Sequence, residues 1–129
     1  MLQKLFYVTA GGGLGSALRY LVSGWTQRAS GSAAYPVGTL AVNILGCLAI
    51  GVLGAIFAAP HRVREETRLF LMIGVLGGFT TFSSFAFETF NLADDGARGR
   101  ALANVLLTNA LCLLAAWIGY RLTQRWVGT

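Results

Sequence analysis

The chain has 129 residues, 55% of them hydrophobic and only 12% charged, with a formal net charge of +5. Such a length suits one domain, and a charged fraction about half the ~25% usual for soluble domains, with positive mean hydropathy, excludes an ordinary soluble globule. The basic residues are scattered between apolar runs rather than gathered into a patch, so they read as membrane-interface anchors and topology signals, and a nucleic-acid surface is not expected.

Leu5 to Trp25 is the first candidate span, close to the ~20 residues a helix needs to cross the hydrocarbon. It is uncharged through Leu18, and Arg19 then falls near enough to the far end to snorkel. Lys4 could open a signal peptide, but the apolar run is long and lacks a small-residue cleavage site, so a retained helix is expected. Gly11-Gly12-Gly13-Leu14-Gly15 superficially resembles a phosphate loop. No strand precedes it and no Gly-Lys-Ser/Thr follows. Gly11 and Gly15 instead form a small-xxx-small pair that lets another helix approach closely.

Thr26 to Pro36 reads as a polar loop. Val37 to Ala59 is the second span and is uncharged. Thr39 and Asn43 lie one helical turn apart on one face of it, with Gly46 nearby. Pro60 stops the helix, and His61 to Arg68 forms a charged loop. Leu69 to Phe87 is the third span, its helix running on to about residue 90. Asn91 to Arg100 is a polar turn. Ala101 to Tyr120 is the fourth span, its helix running on to about residue 124, with Asn104, Thr108 and Cys112 as a weakly polar stripe. Trp126 is an interfacial aromatic. Cys47 and Cys112 fall within apolar runs, so buried free thiols are expected rather than a disulfide, and no zinc spacing exists. The fold class is thus an all-α membrane protein, with residues 1–129 as a single domain of four transmembrane helices.

Four spans put both termini on one side. Lys4, Arg62, Arg64, Arg68, Arg121 and Arg125 then share that side, against Arg28, Arg98 and Arg100, with Arg19 near them. This is a modest bias, so orientation is weakly specified and insertion both ways round is physically possible. The many Gly and Ala positions argue for tight helix contacts and for an oligomer, most often a two-fold dimer.

The segment from Gly74 to Glu88 departs most from a good apolar helix. It combines Gly74, Gly77 and Gly78 with four hydroxyl residues, Thr80, Thr81, Ser83 and Ser84, and with Phe79, Phe82, Phe85 and Phe87. Gly77-Gly78-Phe79-Thr80 is the expected break, because Gly and β-branched Thr are poor helix formers. Non-helical backbone at membrane depth is tolerated only inside protein or facing a cavity, and its freed carbonyls would suit a cation such as Na+. The phenylalanines have two readings, a packed core stripe or ring edges that weakly coordinate an anion. Asn43 likewise either ties helices together or donates to a permeating anion without a trapping positive charge. Thr81, Ser84 and Glu88 form a polar face leading outward, where Glu88 lines a vestibule or simply reaches water. Arg19 either draws anions in or snorkels.

Three stretches resemble the Fluc, or CrcB, family of fluoride channels. They run from Gly11 to Tyr20, from Gly38 to Gly46, and from Gly77 to Phe85. The resemblance implies an antiparallel, dual-topology homodimer in the bacterial inner membrane, with two fluoride pores that passively export cytosolic fluoride. It implies a central structural Na+ held by the carbonyls of Gly77 and Thr80 at the third-helix break. Phe82 and Phe85 match a pore-lining ring pair, Asn43 a pore amide, Ser84 and Thr39 neighbouring polar positions, Glu88 a pore-entrance carboxylate, and Arg19 a basic residue near the aqueous end of the first helix. Along the fourth helix the family's polar track falls on Asn104, Thr108 and Cys112, where Asn104 and Cys112 depart from the hydroxyl pattern.

The alternative is a small multidrug-type proton-coupled exporter, which would carry a carboxylate in its first span, whereas Leu5 to Trp25 has none. An enzyme is not expected, since His61 is the single histidine and no nucleophile or metal constellation surrounds it.

Overall fold

The computed structural model describes residues 1–58 and 63–127, and no strand occurs among them. Pro60, His61, Arg62 and the end of the second expected span at Ala59 lie outside the described residues. The elements are α1 (Leu2–Ser30), α2 (Val37–Ala58), α3 (residues 65–79), α4 (Phe82–Asp94) and α5 (Arg98–Val127). The middle of α3, Leu69–Leu76, is wound more widely than an α-helix, with i→i+5 bonding. Val37–Ala58, Glu65–Asp94 and Arg98–Val127 are each long and apolar enough to cross a membrane. At 29 residues α1 is also long enough, but polar residues dilute its apolar content.

The connections are shorter than the polar composition suggested. The expected loop from Thr26 continues as helix to Ser30 because its hydroxyls bond locally. Thr26 Oγ1 donates to the Val22 carbonyl at 2.7 Å, and Ser30 Oγ to the Gln27 carbonyl at 2.8 Å. Gly31 then ends α1 in the left-handed region at φ 63°, where a residue without Cβ is not strained. Gln27 folds the rest of the turn back, donating to the carbonyls of Ser32 and Tyr35 while its Oε1 accepts the Gly38 N–H at 2.8 Å. The expected turn from Asn91 to Arg100 shrinks similarly. Helix α4 persists to Asp94, and Gly96 at φ 78° supports the reversal into α5.

Helices α1 and α3 meet through glycines on both sides. A Cβ at Gly11 would lie 2.5 Å from the Phe70 carbonyl oxygen, and one at Gly74 would lie 2.9 Å from the Gly11 Cα. Gly15 sits against the Val75 backbone and Gly78 against that of Gly12. The small-xxx-small pair of α1 therefore packs on a matching pair in α3. Where lipid tails are as apolar as leucine, such close backbone contact is a main source of association. Helices α2 and α5 pack alike, through Gly51 against Ala116 and Gly119 against Leu48.

The interior is narrow. Its buried apolar side chains are small apart from Val42 and Phe85, and Thr39, Asn43, Thr81, Asn104 and Thr108 are buried among them. Large apolar groups such as Trp117, Leu113 and Phe82 point outward. A surface this apolar requires lipid or another protein to cover it.

Candidate functional site

Between α3 and α4 the chain is extended at two residues, Thr80 (φ −87°, ψ 158°) and Thr81 (φ −152°, ψ 108°). The interruption falls at the end of the expected Gly77–Thr80 stretch and runs on to Thr81, because both glycines stay helical, Gly78 being packed against the Gly12 backbone. The interruption is set from outside the segment. Asn43 on α2 donates from Nδ2 to the Thr81 carbonyl at 3.0 Å, and its Oδ1 accepts the Thr81 N–H at 2.8 Å. Its side chain thus replaces both bonds that a neighbouring strand would give an extended residue. The restart is local. Thr81 Oγ1 accepts the Ser84 N–H at 3.1 Å, an N-cap for α4, and also contacts Ser84 Oγ at 3.0 Å.

These bonds leave backbone carbonyls over. The Thr81 N–H is turned to Asn43, away from the Gly77 carbonyl four residues back that a continuous helix would offer it. The Ser84 N–H is taken by the cap, so Thr80 O receives no helical donor from it and instead accepts Arg19 Nη1 at 3.3 Å. Arg19 therefore contacts the interruption itself rather than only reaching toward an aqueous end.

Asn43 lines a cavity of about 370 Å3 together with Gly77, Thr80, Phe82, Thr108 and Cys112, and no charged residue lines it. Phe82 and Phe85 have ring centroids 5.1 Å apart at 60°. They differ in exposure, Phe85 being buried at 6% and Phe82 open at 74%. The two rings touch each other, but only Phe82 reaches the cavity.

A second cavity, about 640 Å3, opens one turn along α2 at Thr39. Thr39 Oγ1 donates to Glu88 Oε1 at 2.6 Å, while Glu88 Oε2 is buried without a partner. Tyr35, Gln27 and Arg100 share this cavity. The Tyr35 hydroxyl is likewise buried and unpartnered, and burial raises its pKa above the ordinary 10.0.

A third polar group ties α5 to α4. Thr108 Oγ1 donates to Asn104 Oδ1 at 3.4 Å, Asn104 Nδ2 donates to Thr89 Oγ1 at 2.8 Å, and Thr89 Oγ1 donates to the Phe85 carbonyl at 2.7 Å. Asn104 lines neither cavity, and Ser84 is held by the Thr81 cap, its N–H donating to Thr81 Oγ1 and its Oγ accepting from it.

Sequence reasoning thus named residues that fall in three places. Asn43, Thr80, Gly77, Phe82 and Thr108 converge on the first cavity, Thr39 and Glu88 on the second, and Phe85, Asn104 and Ser84 pack between elements. It missed Gln27, Tyr35 and Thr89. Gln27 and Tyr35 lie in the stretch from Thr26 to Pro36 that reads as a polar loop. The position of Thr89, one residue past Glu88, carried no periodic signal of its own. Cys47 and Cys112 are free thiols, as expected, but half-buried rather than buried.

Residues 6–120 match the family described as CrcB-like protein, Camphor Resistance (CrcB). The chain is 41% identical over 118 residues to a fluoride-specific ion channel FluC of Citrifermentans bemidjiense, covering 92% of this chain and 94% of that one. It is 44% identical over 116 residues to a protein of the same name in Rhodospirillum rubrum (88% and 89% covered), and 46% identical over 116 residues to another in Opitutus terrae (88% and 87% covered).

Proposed function

We propose that this chain, which belongs to the CrcB family, is a passive fluoride channel and not an enzyme. The observation that carries this reading is the uncharged cavity where the Asn43 amide, the Phe82 ring and the Thr80 and Thr108 side chains converge. One amide hydrogen of Asn43 is used on Thr81, so its second N–H remains to donate. Fluoride is small and strongly hydrated. Conduction needs sites good enough to replace part of its hydration and weak enough to release it. An amide, hydroxyls and the positive edge of an aromatic ring meet both demands, where a fixed guanidinium would hold the ion.

In this reading the Thr39–Glu88 cavity is a vestibule, and the Phe85, Ser84, Asn104 and Thr108 positions continue the route. Helix α1 is the fourth span beside the three more apolar segments. Phe82, largely open on a single chain, gains its second wall from another copy, which supports a homodimer. The weak charge bias supports mixed orientation and hence an antiparallel pair with two pores. The setting is a bacterial inner membrane, and the direction is export of cytosolic fluoride, driven by its gradient.

The freed carbonyls of Gly77 and Thr80 are hard acceptors that fit a Na+ ion. A side chain at Gly77 would meet nothing within 4 Å, so its side is open to a partner. Since Arg19 already takes one lone pair of Thr80 O, a single chain offers too few oxygens, and the remainder would come from the second copy. A bound cation there would supply positive potential for an entering anion.

The test is fluoride efflux from liposomes containing purified protein. Efflux that is fluoride-selective and independent of a proton gradient is expected. Equal passage of chloride, or a strict need for a proton gradient, would overturn the reading and favour an exchanger.

A further inference from the structure

The uncharged cavity carries a second kind of chemistry. Cys47 and Cys112 both line it, and both are free thiols. Their juxtaposition follows from helix register. Asn43 and Thr108 face the cavity, Cys47 and Cys112 follow one turn later on each helix, and Gly51 abuts Ala116 one turn beyond that. Helices α2 and α5 thus advance in step, which brings both cysteines to the lining of one cavity. The Met72 thioether lines the same cavity.

Two thiols and a thioether form a soft donor set. A four-coordinate ion such as Zn2+ is poorly served by it, because tetrahedral sites take four N, O or S ligands and no cluster of three or more His, Cys, Asp or Glu occurs among the described residues. A cation content with two sulfur ligands is well served. Charge makes the same choice. Two thiolates around one divalent ion are neutral, so binding adds no net charge to a cavity that no charged residue lines.

We propose that Cys47 and Cys112 form a binding site for a thiophilic, two-coordinate metal ion, with Hg2+ as the type case, and that its occupation closes the cavity. Two S–H bonds break, two S–Hg bonds form, and two protons leave to water, so no oxidant or reductant is needed. The bound ion would occupy the cavity that Asn43, Met72 and Phe82 also line, and so remove space beside the Phe82 ring. The binding step stands on geometry alone. Its effect on transport rests on the fluoride-channel reading.

Mercuric nitrate, used without chloride, tests both parts. In detergent, we expect one metal per chain, a thiolate-to-metal charge-transfer band, and loss of both thiols to maleimide together. Cys47→Ser or Cys112→Ser should each weaken binding by more than about 100-fold, since even supporting residues of metal sites cost 10–100-fold. Two ions bound independently per chain, or single variants that bind as tightly, would overturn the site. In liposomes, equimolar Hg2+ should cut fluoride efflux at least tenfold, reversibly by dithiothreitol, while the double variant Cys47→Ser/Cys112→Ser keeps whatever flux it had before metal. Full flux with metal bound would overturn closure. Absence of fluoride flux before any metal is added would instead sink the channel reading and leave the binding result standing.

Discussion

Asn43→Ala removes the clamp on the extended residues and nothing else of comparable size. Two hydrogen bonds go, of 3.0 and 2.8 Å, and the Thr81 N–H and C=O are left without partners in a buried position. Counted as orphaned buried groups, these cost ~1–3 kcal/mol each, or roughly 2–6 in all. Two features lower that figure. Interhelical hydrogen bonds measured within membranes average only ~0.6 kcal/mol and reach ~1.7, because the unfolded chain in lipid also finds partners. The cavity beside Asn43 is moreover large enough for water to enter and rehydrate Thr81. The expected loss is therefore about 1–3 kcal/mol, read by equilibrium unfolding in mixed micelles. Asn43→Asp keeps an acceptor for the Thr81 N–H but sets a carboxylate against the Thr81 carbonyl. It should destabilise similarly at neutral pH and recover on acidification, when the protonated carboxyl can donate. An Asn43→Ala protein within about 0.3 kcal/mol of the parent, inside the usual scatter of neutral surface changes, would refute the view that α2 holds the interruption open.

Phe82→Ile should sharply reduce fluoride efflux with little loss of stability, because Phe82 is mostly open on the single chain, and unchanged efflux in both this variant and Asn43→Asp would remove the pore assignment. Gly11→Val should prevent correct packing of α1 on α3, since the Cβ alone would lie 2.5 Å from a backbone oxygen, whereas Gly13→Ala meets nothing within 4 Å and should stabilise by up to ~1 kcal/mol through helix propensity, both read by the same unfolding assay. Tyr35→Phe removes a buried hydroxyl with no partner and should stabilise by roughly 1 kcal/mol. The parent should also lose stability as pH rises through 10.0, because the unfolded phenol ionises there while burial holds the folded one neutral to higher pH. The Tyr35→Phe protein should lack that part of the alkaline decline.

Much of the architecture was legible in one dimension. Low charge, long apolar runs and Gly spacing announced membrane helices and close packing, because hydropathy and the four-residue recurrence act on segments irrespective of partners. The pairing of Gly11 and Gly15 with backbone of α3 followed that signal directly. Loop lengths were misjudged where polar residues satisfied their own helix, as Thr26 and Ser30 do. Local hydroxyl-to-carbonyl bonds look the same in composition as a loop.

The sequence by itself determined that the segment from Gly74 to Glu88 is a poor continuous helix, since that weakness lies in the residues of the segment. Where it opens was decided only by the tertiary structure. Gly and Thr propensity pointed to the stretch from Gly77 to Thr80, yet neighbouring backbone holds Gly78 helical, and the extended pair is Thr80, at the end of that stretch, and Thr81 beyond it. The deciding group is an amide 38 residues away in sequence, and no local preference can encode a partner brought in by packing. For the same reason the sequence placed Asn43, Thr39 and the phenylalanines on candidate faces, while only the packed helices separated them into two cavities and a buried seam between.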